Sequence, residues 1–188
     1  MSDLKLIRGA RIEQQLEKLE QLDEATYAEL ERNTMNFVPA TEKRQWVVNP
    51  IQVTRMELSP ARESQTLIIQ SEVNSNGNKY APKMQFDSVI YEDGDQADNV
   101  SFTASDQEEY HIIPIDLKKA NVKLHCNCLD FYWRFSNQNH SAGSLDGNPP
   151  PAYQKKTDRA PVNPRNVPGV CKHLLKLAIQ LKDAGIVR

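Results

Sequence analysis

The stretch VKLHCNCLDFYWRF, residues 122–135, decides how the rest of the chain reads. Val122 and Leu124 alternate with polar residues, which predicts a strand over 122–128. Side chains two apart on a strand share a face, so Cys126 and Cys128 turn one way while His125 and Asn127 turn the other. DFYWRF predicts a short helix or tight turn with Asp130 as its cap. Phe131 and Phe135 are four apart and share an inner helical face, which leaves Tyr132 and Trp133 as the more exposed pair.

The remaining cysteine opens CKHLLKLAIQLKDAG, residues 171–185, a predicted helix that stops at Gly185 and uses Leu174, Leu175, Leu177 and Leu181 to pack on the strand. At a helix N-terminus free amides and the dipole favour an anionic thiolate, which suits Cys171. Cys126, Cys128, Cys171 and His173 therefore offer four ligands in two close pairs, the donor set of a tetrahedral zinc. Only three cysteines are present. An odd count in a chain whose opening MSDLKLIRGARIEQQ lacks the apolar run of an export signal argues for thiolate ligands over a disulfide framework. His125 and His140 are alternative nitrogen donors outside a C-x-H context, and simple burial of the thiols is the alternative to a metal. Four protein ligands close the shell to water, so the expected zinc is structural.

Outward from this pair of motifs, residues 136–170 are rich in Asn, Ser, Gly and Pro, and carry too many prolines for a helix or central strand. We expect an ordered, extended loop that serves as a partner-binding surface. Residues 45–117 read as an antiparallel β-rich body built from QWVV, IQVTRMEL, TLIIQSEV, MQFDSVIYE, VSFTA and YHIIPIDL, with turns at SNGN and EDGDQ. Its expected core residues are Val53, Met56, Leu58, Leu67, Ile69, Val73, Phe86, Val89, Tyr91, Phe102, Ile113 and Ile115. Ile12, Leu16, Leu19, Leu22, Tyr27 and Leu30 predict one amphipathic helix over 10–32. The expected fold class is thus α+β: an N-terminal helical segment (1–44), the sheet body (45–117) and a zinc-stapled hairpin/helix module with a long Pro/Asn-rich loop (118–188).

The 188 residues are 39% apolar and 26% charged, enough for a real core and too hydrophilic for a membrane protein at a mean hydropathy of −0.63. The net charge of −2 conceals an asymmetry. Residues 1–117 carry 11 basic and 21 acidic side chains, and residues 118–188 carry 12 and 4, so the parts sum to −10 and +8. Oppositely charged halves suit contact with nucleic acid or an acidic protein, or attraction to each other. Phe131, Tyr132, Trp133 and Phe135 form either a small core or a stacking platform, the latter with Arg134, Lys155, Lys156, Arg159 and Arg165 neutralising phosphate or acidic groups. No nucleophile elbow, phosphate-cradling loop or zinc-hydrolase glutamate is present, so no enzyme and no small-molecule substrate are expected.

C-x-C in HCNCLDF followed by C-x-H in GVCKHLLKL resembles the SWIM-type zinc finger over about residues 120–184. The resemblance implies that Cys126, Cys128, Cys171 and His173 hold zinc between a β-hairpin and the following helix, and that the module binds protein or DNA. The spacer from Leu129 to Val170 is longer than the family's usual one. This spacer, the run Phe131–Phe135 and the segment Asn163, Pro164, Asn166, Val167, Pro168, Gly169 resemble the long-spacer variant of tailed-bacteriophage structural proteins. That implies a non-enzymatic virion component of the head-to-tail or baseplate region, found in virion and host cytoplasm. Its partners would be proteins, with weak or no nucleic-acid binding and no membrane. A DNA-binding regulator using the basic half is the alternative.

Overall fold

The computed structural model describes residues 25–36, 51–151, 158 and 161–188. They form a mixed α+β fold. In chain order the elements are α1 (Tyr27–Met35), β1 (Gln52–Ala61), β2 (Thr66–Ser75), β3 (Asn78–Tyr80), β4 (Lys83–Phe86), β5 (Tyr91–Glu92), β6 (Val100–Thr103), β7 (Glu109–Ile112), β8 (Val122–His125), α2 (Leu129–Arg134), α3 (Ser136–Ser141) and α4 (Lys172–Asp183).

Two antiparallel sheets carry the strands, one in the order β1-β2-β4-β8 with β3 also paired to β2, the other in the order β5-β7-β6. Strand alternation sets the inner face of the larger sheet. Leu67 lies opposite Phe86, Ile69 opposite Met84, Met84 opposite Leu124 and Phe86 opposite Val122, and all six are buried. The β2–β3 hairpin turns on Asn76 and Gly77, whose φ of 55° and 74° are the positive pair that a tight two-residue turn needs. Sheet β5-β7-β6 directs Ile112 into the core, with Tyr91, Val100 and Phe102 packed beside it.

The core is continuous from the body into the metal-ligand region. One cluster joins Leu58, Leu67 and Phe86 to Cys126, Cys128, Phe131, Phe135, Cys171, Leu174 and Leu181. β8, which the sequence places in the C-terminal module, is hydrogen-bonded to β4 of the body, Lys83 facing His125 and Phe86 facing Val122. The chain's end is tied in as well: Ile115 N–H donates to Ile186 O at 2.9 Å and Arg188 N–H to Ile115 O at 2.9 Å. Among the described residues no helix is long and apolar enough to cross a membrane.

Four expectations are corrected. The run MQFDSVIYE is not one strand, because Ser88 takes φ 59° and the chain leaves the larger sheet after β4 to join the smaller one as β5. Val53 and Ile113 are only partly buried and lie outside the core cluster, Ile112 being the inward residue of β7. The helix expected over 10–32 does not run through Thr26: that residue is extended, and α1 begins at Tyr27 through a capping box with Glu29. Residues 10–24 and the QWVV run lie outside the described residues. Finally, the loop region contains a helix, α3, which forms because the prolines begin only at Pro149.

Candidate metal centre

Cys126 and Cys128 sit just beyond the end of β8, and Cys171 and His173 sit at the start of α4. All four are buried, each at 4% exposure or less. Their ligand atoms lie within 4.8 Å of one another, a cluster that can hold a metal ion. Cys126 Sγ and Cys171 Sγ stand 3.8 and 4.0 Å from His173 Nδ1. A tetrahedron with bonds of about 2.3 Å to sulfur and about 2.0–2.1 Å to nitrogen has S···N edges of roughly 3.6 Å, so the cage is near metal-binding size. Three soft thiol donors and an imidazole fit a zinc-like ion. His125 and His140 are exposed and lie outside the cluster.

Local structure explains the placement. Cys128, and not Asp130, caps α2: Phe131 N–H donates to its sulfur at 3.3 Å, while Asp130 in the first turn reaches Arg134 at 3.5 Å. The cysteine precedes the first helical residue, so its side chain can meet the free amide that a cap must satisfy. Cys171 holds the equivalent place before α4 but makes no side-chain capping bond there, and burial outweighs the helix start expected to favour its thiolate. From the body, the β2–β3 hairpin closes over the site. The Tyr80 ring stacks on His173 at 4.0 Å, Ala81 N–H donates to Asn127 Oδ1 at 2.9 Å, and Lys172 Nζ donates to Ser75 Oγ at 3.2 Å.

Electrostatically the three thiols form one unit. Hydrogen bonds from Cys126 and then Cys171 pull the Cys128 thiol well below its ordinary range and keep it as the thiolate. Donation to Cys128 pushes Cys126 up, and burial, followed by hydrogen bonding to both neighbours, pushes Cys171 up. With the Cys126 and Cys171 thiols pushed up, the cage holds S–H protons at neutral pH. A divalent ion must displace these, so lowering the pH weakens binding and raising it strengthens binding. Calorimetric titration with Zn²⁺ at pH 7 in buffers of different ionisation enthalpy should show net proton release on binding. Release of none would contradict this charge distribution.

The strap that returns to Cys171 is held by buried amides. Asn163 Nδ2 donates to Arg134 O at 2.9 Å and Val167 O at 2.8 Å. Asn139 pairs with the Gly169 peptide, donating to its O at 3.0 Å and accepting from its N–H at 2.8 Å. Thr34 does the same for Val170. Asn163 and Gly169 lie within the segment singled out in the sequence, whereas Tyr80, Thr34 and Asn139 carry no local signal.

The aromatic run divides as its spacing predicts. Phe131 and Phe135 are buried, and Tyr132 and Trp133 are 37% and 48% exposed as an edge-to-face pair at 4.6 Å, beside Leu129 at 73%. Arg134 is turned inward, 2% exposed, beside Asp130 and over the Phe135 ring at 4.9 Å, so it is not accessible to phosphate. Arg165 is exposed; Lys155, Lys156 and Arg159 lie outside the described residues. The fold and site thus define a mixed α+β protein with a buried Cys₃His cluster able to hold a metal. Comparison with family models, characterised proteins and solved structures gives no match.

Proposed function

We propose that the four ligands hold one structural zinc in a SWIM-like arrangement, and that the protein is a non-enzymatic assembly component which binds other proteins. The observation that supports this reading is the gathering of four buried protein donors within 4.8 Å, enough to fill a tetrahedral shell without a reacting water. Leu129, Tyr132 and Trp133, exposed on one short helix next to the metal, supply the apolar, aromatic contact surface that protein interfaces favour. Placement in a tailed-phage particle, and hence in virion and host cytoplasm, rests on the resemblance of the long spacer and its Asn/Pro segment.

Elemental analysis of the purified full chain should give one zinc per molecule, and its absence with three freely titratable thiols would defeat the metal reading. Tyr132→Ala with Trp133→Ala should leave zinc content unchanged and stability within about 1 kcal/mol, while abolishing incorporation into the particle. Normal incorporation would move the contact elsewhere. A DNA mobility series across salt separates the alternative: weak binding that vanishes with salt fits an assembly protein, and a salt-resistant, sequence-selective complex would replace it with a DNA-binding regulator.

A further inference from the structure

Helix α1 is nine residues long, too short to persist on its own in water, and so depends on tertiary contacts. Its buried face is Tyr27, Leu30 and Thr34, at spacings of three and four. Thr34, fully buried, makes an unusual pair of bonds across 136 positions of sequence: its hydroxyl accepts from Val170 N–H at 2.8 Å and donates to Val170 O at 3.2 Å. Val170 is the residue before the Cys171 ligand. It is also in no strand, so no ladder satisfies its peptide groups, and a buried donor and acceptor left unmade would each cost free energy. Gly169 brings the helix this close, since a Cβ built there would stand 2.6 Å from Thr34 Oγ1. Tyr27, at the other end of the same face, has a buried hydroxyl with no hydrogen-bond partner among the described residues.

We propose that α1 is a latch on the metal site, with Thr34 as a positioning residue that fixes the peptide preceding Cys171, so that metal binding and docking of α1 are coupled. The inference rests on the metal reading above. A ligand sulfur is placed by the backbone that carries it, and that backbone is held by α1 on one side and by Asn139 on the other. Coupling is reciprocal: whatever factor α1 docking adds to metal affinity, the metal adds to α1 docking. Metal loss would therefore free the N-terminal helix before it opens the sheet.

The test uses the full chain with Co²⁺ as the probe, its thiolate charge-transfer and d–d bands reporting the Cys₃His shell and competition with a chelator giving affinity. Thr34→Val removes both bonds at nearly constant volume and should weaken Co²⁺ binding roughly 10–100-fold, the range for residues that orient ligands. Thr34→Ser should restore affinity to near the wild-type value. Ile112→Val, a core change in β7 away from the strap, should leave it unchanged, which separates positioning from general destabilisation. In the wild type, hydrogen exchange with and without Co²⁺ should show amides of residues 27–36 losing protection on metal removal while β2 and β4 keep theirs. This arm decides the matter if Thr34→Val does not fold. Wild-type affinity in Thr34→Val, or α1 protection independent of metal, overturns the latch with the metal site intact. A wild-type protein that gives no Co²⁺ bands overturns the metal reading and the latch together.

Discussion

Stripping the metal, by chelation or by Cys171→Ser, is expected to cost at least about 3 kcal/mol and to lower Tm by roughly 6–12 °C, the largest effect of any single change. Structural zinc contributes about 10–16 kcal/mol of apparent binding free energy at neutral pH, comparable with the about 5–15 kcal/mol of net stability of a whole domain. Without it, three thiols and an imidazole remain buried with only weak S–H interactions among them. The loss should appear first in α1, in the strap over 161–171 and in α4, with the larger sheet the last to open even though β8 is paired to β4 and Tyr80 stacks on His173. Calorimetric melts of loaded and chelated protein measure it. Equal melting temperatures would show that the cluster is a packed set of thiols and not a metal staple.

Gly169→Ala is expected to follow, at about 1–3 kcal/mol, through overpacking alone. A Cβ at this position meets Phe135 Cε1 at 2.6 Å, Phe135 Cδ1 at 2.9 Å and Thr34 Oγ1 at 2.6 Å. Neither neighbour yields easily. The Phe135 ring is fully buried between α2 and the strap, and Thr34 is held by both bonds to Val170. If Thr34 withdraws, the peptide next to Cys171 loses its partner, so metal affinity should fall together with Tm. Gly77→Ala is the contrast: nothing lies within 4 Å of its Cβ, and its cost comes from the φ of +74° alone, about 1 kcal/mol, with metal affinity untouched. Denaturant melts and chelator competition on both variants check the pair. A Gly169→Ala variant that melts and binds metal like the wild type would show that the strap relaxes freely.

How much of this was legible before folding depends on the range of the interaction concerned. The ligand set reads from the chain because three cysteines and a histidine in two x-spaced pairs leave few chemical uses, and each pair is local. The inward Phe131 and Phe135 and the exposed Tyr132 and Trp133 follow from a three- to four-residue period, and the Asn76–Gly77 turn from residues that tolerate positive φ. The capping box at Thr26–Glu29 was equally local, but the amphipathic stripe that spans it reads as one continuous helix and hides the break.

Other features were set by contacts between residues far apart in sequence. The sequence reads Asp130 as the cap, and the Cys128 sulfur takes the role because the backbone leaving β8 places it before the first helical residue. Arg134, exposed by composition, is drawn inward by Asp130 and the Phe135 ring. Tyr80 covers His173 because the β2–β3 hairpin reaches over the module, and MQFDSVIYE divides because Ser88 passes the chain from one sheet to the other. Thr34 and Asn139 bind the strap across 136 and 30 positions. A hydroxyl or amide side chain bears no mark of which distant peptide it will satisfy, since that partner exists only once burial has removed water as the alternative. Local period and ligand chemistry are thus written in the sequence, while the pairing of buried polar groups is decided by tertiary structure, where desolvation makes each unmade bond costly.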